Sequence, residues 1–269
     1  AFGIGKAALM PFHKWLPAAM VAPTPVSALL HAVAVVKAGV FSMLVIIAYV
    51  FGIDFLTDTN ASVWLMWVSS ITLLLSSCIA ITKDDLKARL AYSTISQLSY
   101  VVLGGALATN IALQGAALHI IMHAVGKITL FFAAGAIYVA THISKISDLN
   151  GLGKSMPLTF AAFFIGSLSI IGVPPMGGSW SKFYLMLGSV EKQYFYIIAI
   201  LCISTLLNVY YLLEVPAKAF FLSSSGNIQV KKHPLTVYPT FCAAILTIIL
   251  FIYIEPLKDI TNLIVGTSK

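Results

Sequence analysis

Residues 111–140 read IALQGAALHIIMHAVGKITLFFAAGAIYVA, thirty positions with a single charge, Lys127. A helix needs about 20 largely apolar residues to cross a bilayer, so this stretch is long enough to span one and project or tilt. The rest of the chain has the same character. Of its 269 residues, 59% are hydrophobic and 9% are charged, against roughly 25% charged in a soluble domain. So few charges cannot cover the surface of a water-soluble fold this size, and the composition reads as an all-α polytopic membrane protein. Cys78, Cys202 and Cys242 form no metal spacing and no disulfide framework. Ala1 begins inside an apolar run without a basic leader, so the chain reads as a piece of something longer.

Eight apolar stretches are long enough to span, near 1–21, 26–51, 63–82, 88–109, 111–140, 157–188, 193–221 and 234–254. They form one transmembrane domain over residues 1–269. Turn chemistry or charge separates them at Pro23 and Pro25, Asp54 to Asn60, Lys83 to Asp85, and Asn150 to Lys154. Only the linker Ser223 to Asn227 has room for flexibility.

Connections after odd-numbered spans carry nine cations: Lys14, Lys83, Lys87, Arg89, Lys145, Lys154, Lys218, Lys231 and Lys232. Those after even-numbered spans, with the tail, carry Lys192, Lys258 and Lys269. The excess predicts that odd connections face the cytoplasm and the C-terminus faces outward. The basic balance is therefore a topology signal and not a nucleic-acid surface. Four lysines remain, Lys6, Lys37, Lys127 and Lys182, all inside hydrophobic spans.

A lysine near the bilayer centre costs roughly 2.5–3.5 kcal/mol on insertion scales. Snorkelling explains a lysine near a helix end, as Lys6 could be, but not Lys37 or Lys127 at mid-span. Desolvation favours a neutral amine, which equips a buried lysine to exchange protons near neutrality. His119, His123 and Lys127 stand at i, i+4 and i+8, on one drifting stripe about 12 Å long. That spacing suggests stations of a water-bridged proton wire. The competing reading is haem ligation by His119 and His123, which lacks a second histidine helix; no metal set is in view. His31 and Lys37 share a depth but, about 120° apart on a helix, not a face.

Gly172 to Gly178 reads GVPPMGG, which cannot continue a helix because Pro174 and Pro175 remove donors and Gly177 and Gly178 loosen the backbone. Met10 to Pro17 is a second interruption, with Pro11 and Pro17 as its breakers and Lys6 just before it. Broken spans beside a lysine are a recurring ion-site design. They are the first and sixth spans, an odd offset expected of inverted repeats. Glu191, Glu214, Glu255 and the aspartates fall in loops or near span ends, leaving Lys6 no intramembrane carboxylate.

Residues 5–39, GKAALMPFHKWLPAAMVAPTPVSALLHAVAVVKAG, resemble the signature of the antiporter-like membrane subunits. These are the L, M and N subunits of respiratory complex I and the A and D subunits of Mrp-type Na⁺/H⁺ antiporters. Asp85 to Gln97, His119 to Lys127, and Gly172 to Lys182 resemble three further family motifs, in the family's order. The resemblance implies a fourteen-helix inverted-repeat fold, of which this chain would supply about the seventh to fourteenth helices. It implies that Lys6 is the central lysine of the first broken helix and that His31 and Lys37 are stations of the next. It makes His119, His123 and Lys127 the connecting axis and Lys182 the terminal lysine. The family's paired glutamate would lie upstream of Ala1, so the fragment alone should not conduct efficiently. Compact loops, and no long lateral helix after Lys269, point to an Mrp D-like or M-like member.

The expected function is proton translocation, by H⁺ or Na⁺/H⁺ transport, as one membrane subunit of a multisubunit complex in a bacterial inner membrane. Its expected partners are other membrane subunits, H⁺, Na⁺ in the antiport reading, and the lipid bilayer. The alternatives are the membrane arm of an NADH:quinone oxidoreductase, a haem-binding redox subunit, and an inert scaffold. No cofactor is expected: the chain has no GxGxxG fingerprint and no cluster cysteines, so redox chemistry would belong to other subunits.

Overall fold

A computed structural model describes residues 2–32, 34–223 and 234–266. The linker positions 224–227, with Lys231, Lys232 and Lys269, lie outside the described residues. Thirteen α-helices follow in order among those described. They are α1 (Phe2–Lys6), α2 (Trp15–Ala18), α3 (Thr24–Ala32), α4 (Val35–Val45), α5 (Ile53–Thr59), α6 (Val63–Thr82) and α7 (Leu86–Ala106). After them come α8 (Asn110–Thr141), α9 (Pro157–Ile171), α10 (Gly178–Glu191), α11 (Phe195–Phe221), α12 (Pro234–Ile252) and α13 (Glu255–Gly266).

All eight apolar stretches fold as helix, but three are divided. Four helices are long and apolar enough to cross a membrane by length and composition, and five if a bent pair counts as one span. The region from α3 to α5 corrects two expectations. The second stretch was read as continuous over 26–51, yet helix stops at Ala32, resumes at Val35, and widens to a π-helical turn over Ile46–Phe51. Neither proline nor glycine marks the first of these breaks; there Ala34 N–H reaches back five residues to Leu29 O. The expected loop at 54–60 is instead helix α5, set at 80° to the segment before it. Gly52, at φ 79°, permits this corner because it has no Cβ to clash. The C-terminal tail holds α13, an amphipathic helix that the hydropathy reading passed over.

The helices are apolar outward and hydroxyl-rich inward. On α6, Trp64, Trp67, Ile71 and Leu75 are exposed, while Ser69, Ser70, Thr72, Ser76 and Ser77 are buried. Small inward residues let helices approach closely, and their hydroxyls bond back to their own helix: Ser76 to Thr72 O and Ser77 to Leu73 O. The 32-residue α8 is about 48 Å long and is the post against which α3, α7, α9, α10 and α12 pack.

Near the basic end, two connections lock together. Asp84 and Asp85 meet Lys145 to Ser147 through Leu86 N–H to Ser144 O, Ile146 N–H to Asp84 O, and Ser147 N–H and Oγ–H to the Asp84 carboxylate. Partial burial pushes the Asp84 carboxyl up, but the Ser147 hydrogen bonds and the Lys218 and Arg89 charges outweigh it and hold it below its ordinary value. Beside it Arg89, counted among the loop cations, is buried at 4% exposure. It donates to Lys83 O, Tyr211 O and Glu214, and Glu214 also pairs with Lys218.

Two outcomes follow for the full-length protein. A folded-state carboxyl held low contributes stability that is present above about pH 4 and is lost as pH falls through the depressed value. Melting temperatures against pH should show Asp84→Asn weakening that acid dependence. Gly39 sits where α4 crosses α1, and a Cβ there would meet Ala7 N at 2.6 Å and Lys6 Cβ at 2.7 Å. Gly39→Val should destabilise by about 1–3 kcal/mol in a thermal melt, while Ala38→Val, on the exposed side of the same turn, should leave the melt unchanged.

Candidate functional site: buried amines between helices

Lys37, Lys127 and Lys182 are 6%, 0% and 4% exposed. Each amine is held in the same way, by one backbone carbonyl and one side chain. Lys37 Nζ donates to Ile120 O at 2.9 Å and lies 2.7 Å from His123 Nδ1. Lys127 Nζ donates to Leu90 O at 3.1 Å and to Ser93 Oγ at 2.7 Å. Lys182 Nζ donates to Ile171 O at 2.8 Å and approaches Thr205 Oγ1 at 3.5 Å, over the ring of Tyr100 at 4.7 Å from its centroid. Among the described residues the ion pairs are Arg89–Glu214, Lys218–Glu214 and Lys258–Glu255, and none involves these three amines.

Local sequence explains the Lys182 arrangement. Helix α9 ends at Ile171 because Gly172 turns the chain at φ 88° and the two prolines cannot continue it. The last carbonyls of α9 are then left without helical partners inside the membrane. Lys182, one turn into α10, supplies a donor to one of them at the negative end of that half-helix. Gly178 allows the approach: a Cβ there would collide with Ser169 O. Gly177 N–H bonds Thr247 O on α12, and both Pro174 and Pro175 are exposed.

The first broken span is built differently. Helix α1 ends at Lys6, and the following irregular turn is satisfied by Met10 N–H to Thr72 Oγ1 and Trp15 Nε1–H to Gly5 O. Pro11 sits in that turn, while Pro17 lies within the single turn of α2, where a missing N–H costs no helical bond. Lys6 is half-buried and lines a cavity of about 570 Å³ with Pro11, Lys14 and Trp15. His31 is on α3, and its side chain lies outside the described residues.

His119 and His123 are both 2% exposed and stack on each other, with ring centroids 6.0 Å apart. His119 Nδ1 lies 2.8 Å from Ser181 Oγ, whose hydroxyl donates to Gly178 O. With that hydroxyl committed, Ser181 Oγ is free to accept a hydrogen from His119 Nδ1. His119 also stacks on Tyr100 at 5.5 Å, the ring beneath Lys182. The line therefore runs Lys37, His123, His119, then Ser181 and Tyr100 toward Lys182. Lys127, expected on the same stripe, turns its amine to Ser93 on α7 instead.

Sequence reasoning missed Ser93, Ser181, Thr205 and Tyr100, whose residue types carry no signal on their own. It also missed the buried state of Arg89. The signal for Arg89 was Glu214, a carboxylate 125 residues away, and only tertiary structure brings them together. Among the described residues no cluster of three or more His, Cys, Asp or Glu side chains is arranged to hold a metal.

Residues 1–208 match the family described as NADH:quinone oxidoreductase/Mrp antiporter, TM. NADH-quinone oxidoreductase subunit N of Desulforudis audaxviator (strain MP104C) is 39% identical over 220 residues, 81% of this chain and 44% of that protein. NAD(P)H-quinone oxidoreductase subunit 5 of the Carpenteria californica chloroplast is 33% identical over 240 residues, 86% of this chain and 30% of that protein. The chain thus spans less than half the length of these curated relatives. A chain of the Mrp complex from Dietzia sp. DQ12-45-1b superposes with TM-score 0.89 at 21% identity, covering 99% of this chain and 57% of that one. A chain of the membrane-bound sulfane sulfur reductase, an archaeal respiratory membrane complex, gives 0.86 at 24% identity, covering 99% and 54%. With a family match over most of its length and a shared fold, this multi-pass, membrane-embedded chain belongs to the NADH:quinone oxidoreductase/Mrp antiporter transmembrane family.

Proposed function

We propose that the chain is the proton-carrying part of a membrane subunit in a multisubunit complex, and that Lys37, His123, His119 and Lys182 pass protons within the membrane. The observation that carries this is the way the amines are held. Each buried lysine bonds a carbonyl and a group that can exchange or relay a hydrogen, and none is neutralised by a carboxylate among the described residues. A carbonyl accepts a hydrogen from an ammonium or from a neutral amine, so each lysine stays lodged in either charge state. Between Lys37 Nζ and His123 Nδ1 the shared hydrogen can belong to either nitrogen. Two ammonium groups about 8 Å apart repel by roughly 2 kcal/mol at an effective dielectric of about 20, so charging one lysine favours discharge of its neighbour.

In this reading Lys6 begins the relay and His31 belongs to it, as the family resemblance implies, and residues 1–269 act as one transmembrane domain. Positive-inside counting puts the basic connections in the cytoplasm of a bacterial cell and the C-terminus outside. H⁺ is the carried ion and Na⁺ its exchange partner in an antiporter host. Of the two hosts, the quinone oxidoreductase names of the sequence relatives favour a respiratory-type assembly over the expected Mrp D-like one. Haem ligation gains no support from imidazoles stacked on one helix and already engaged by Ser181 and Lys37.

The test is proton-coupled ion flux in vesicles carrying the full-length subunit in its assembled complex. Lys182→Met should lower flux at least about tenfold, a barrier change of about 1.4 kcal/mol, with the complex still assembled. Wild-type flux in that variant would reduce the lysines to packing elements. Lys37→Met should act in the same direction, and a reduced-minus-oxidised visible spectrum of the purified complex should show no haem band that His119→Leu or His123→Leu removes.

A further inference from the structure

Lys127 directs its amine to Leu90 O and Ser93 on α7, and the polar stripe beyond Ser93 is unfinished. Helices α7 and α11 face each other in antiparallel register. Tyr100 lies beside Ser204, Thr205 and Asn208, whereas Arg89 bonds Tyr211 O and Glu214, and Tyr211 lies beside Ser93. One stripe on α7 holds Ser93, Gln97 and Tyr100 at i, i+4 and i+7. The matching stripe on α11 holds Ser204, Asn208 and Tyr211 at the same spacing. Between the Arg89–Tyr211 and Tyr100–Leu201 contacts, Gln97 on α7 and Asn208 on α11 lie at the middle of the stripes.

The middle is where hydrogen bonds run out. Gln97 Nε2 and Oε1 and Asn208 Nδ2 are buried without hydrogen-bond partners among the described residues, and both residues are 0% exposed. Both ends of the stripes are engaged. Lys127 Nζ donates to Ser93 Oγ at 2.7 Å, Tyr211 Oη–H donates to Asn208 Oδ1 at 2.5 Å, and Tyr100 Oη reaches Leu201 O at 3.5 Å. Buried polar atoms in folded proteins are nearly always satisfied by protein or by ordered water. A site with several convergent donors and acceptors is where a buried water is held.

Resting on the proton-transfer reading above, we infer that water anchored by Gln97 and Asn208 joins Lys127 to Lys182 through α7 and α11, a second connection that bypasses His119 and His123. In a transfer, the Lys127 ammonium gives a proton to Ser93 Oγ as Ser93 hands its own hydrogen to Tyr211 Oη. Tyr211 Oη–H swings from Asn208 Oδ1 to the water and releases its hydrogen there, and the water passes one to the Thr205 hydroxyl beside Tyr100. Thr205 gives its hydrogen to the lone pair of Lys182 Nζ, 3.5 Å away. Lys127 ends neutral, Lys182 ends charged, and every hydroxyl regains the hydrogen it gave up. The two amides donate and accept hydrogen bonds and keep their own protons; they hold the water in line.

The experiment compares proton flux in vesicles bearing the full-length subunit in its complex. The variants are Gln97→Leu with Asn208→Leu, Tyr211→Phe, His119→Leu with His123→Leu, and Lys182→Met. The Gln97/Asn208 pair and Tyr211→Phe should each lower flux measurably, and the histidine pair alone should retain measurable flux. The histidine pair combined with the Gln97/Asn208 pair should cut flux at least about tenfold. Wild-type flux in the Gln97/Asn208 pair, with flux lost in Lys182→Met, overturns the bypass and leaves the proton-transfer reading standing. Wild-type flux in Lys182→Met overturns that reading itself. A high-resolution cryo-EM map of the unaltered complex decides the matter independently of variant folding. Ordered water density between Gln97 and Asn208 supports the connection, and two amides bonded to each other across a dry gap overturn it.

Discussion

In a medium without water, a backbone carbonyl that loses its helical partner must find another donor, and this protein answers part of that demand with lysine side chains. The clearest case is Lys182, which reaches back across its own broken span to Ile171 O. Lys37 and Lys127 bond carbonyls in the interiors of neighbouring helices, Ile120 O and Leu90 O. An amine held by a carbonyl dipole is positioned without being locked into one charge state, as a carboxylate partner would lock it. The same interaction holds three buried nitrogens that have no carboxylate partner among the described residues.

The surrounding helices make that interior possible by reversing the pattern of a soluble protein. On α6 the tryptophans and large aliphatic residues face outward, and the serines face the centre, where their hydroxyls bond to their own backbone. Serine and glycine keep inter-helix spacing short, so an amine on one helix can reach a carbonyl on the next. At the basic end, Arg89 ties α7 to α11 and to the end of α6 through one carboxylate and several carbonyls. A guanidinium can do this because its five donors diverge in a fixed plane.

Much of this was legible in the residues. Hydropathy marked the apolar stretches, and the prolines and glycines at 172–178 marked the broken span because their backbone chemistry is local. Four lysines inside apolar runs stood out for the same reason, the cost of a charge there, and three of them are the buried amines while Lys6 is half-buried. The break before Val35 was not legible, because no proline or glycine marks it. The corner after Phe51 was hidden behind Asp54 to Asn60, which read as an ordinary polar loop. Helical spacing put His119, His123 and Lys127 on one stripe but could not show that Lys127 turns to Ser93. A flexible four-carbon stem lets neighbours on other helices decide where the amine goes. Glu214 and Arg89 read separately as a boundary acid and a loop cation, since nothing in sequence links positions so far apart.

Gly39 contributes no atoms beyond its backbone, and the volume a side chain would have filled is taken by the main chain at Lys6 and Ala7. The address of the first lysine is thus written on a different helix, in a position defined by what it lacks. Lengthening that residue would displace the backbone that carries Lys6 without altering any titratable group, so chemical similarity at the ionisable positions is an incomplete guide to which related chains keep the same arrangement.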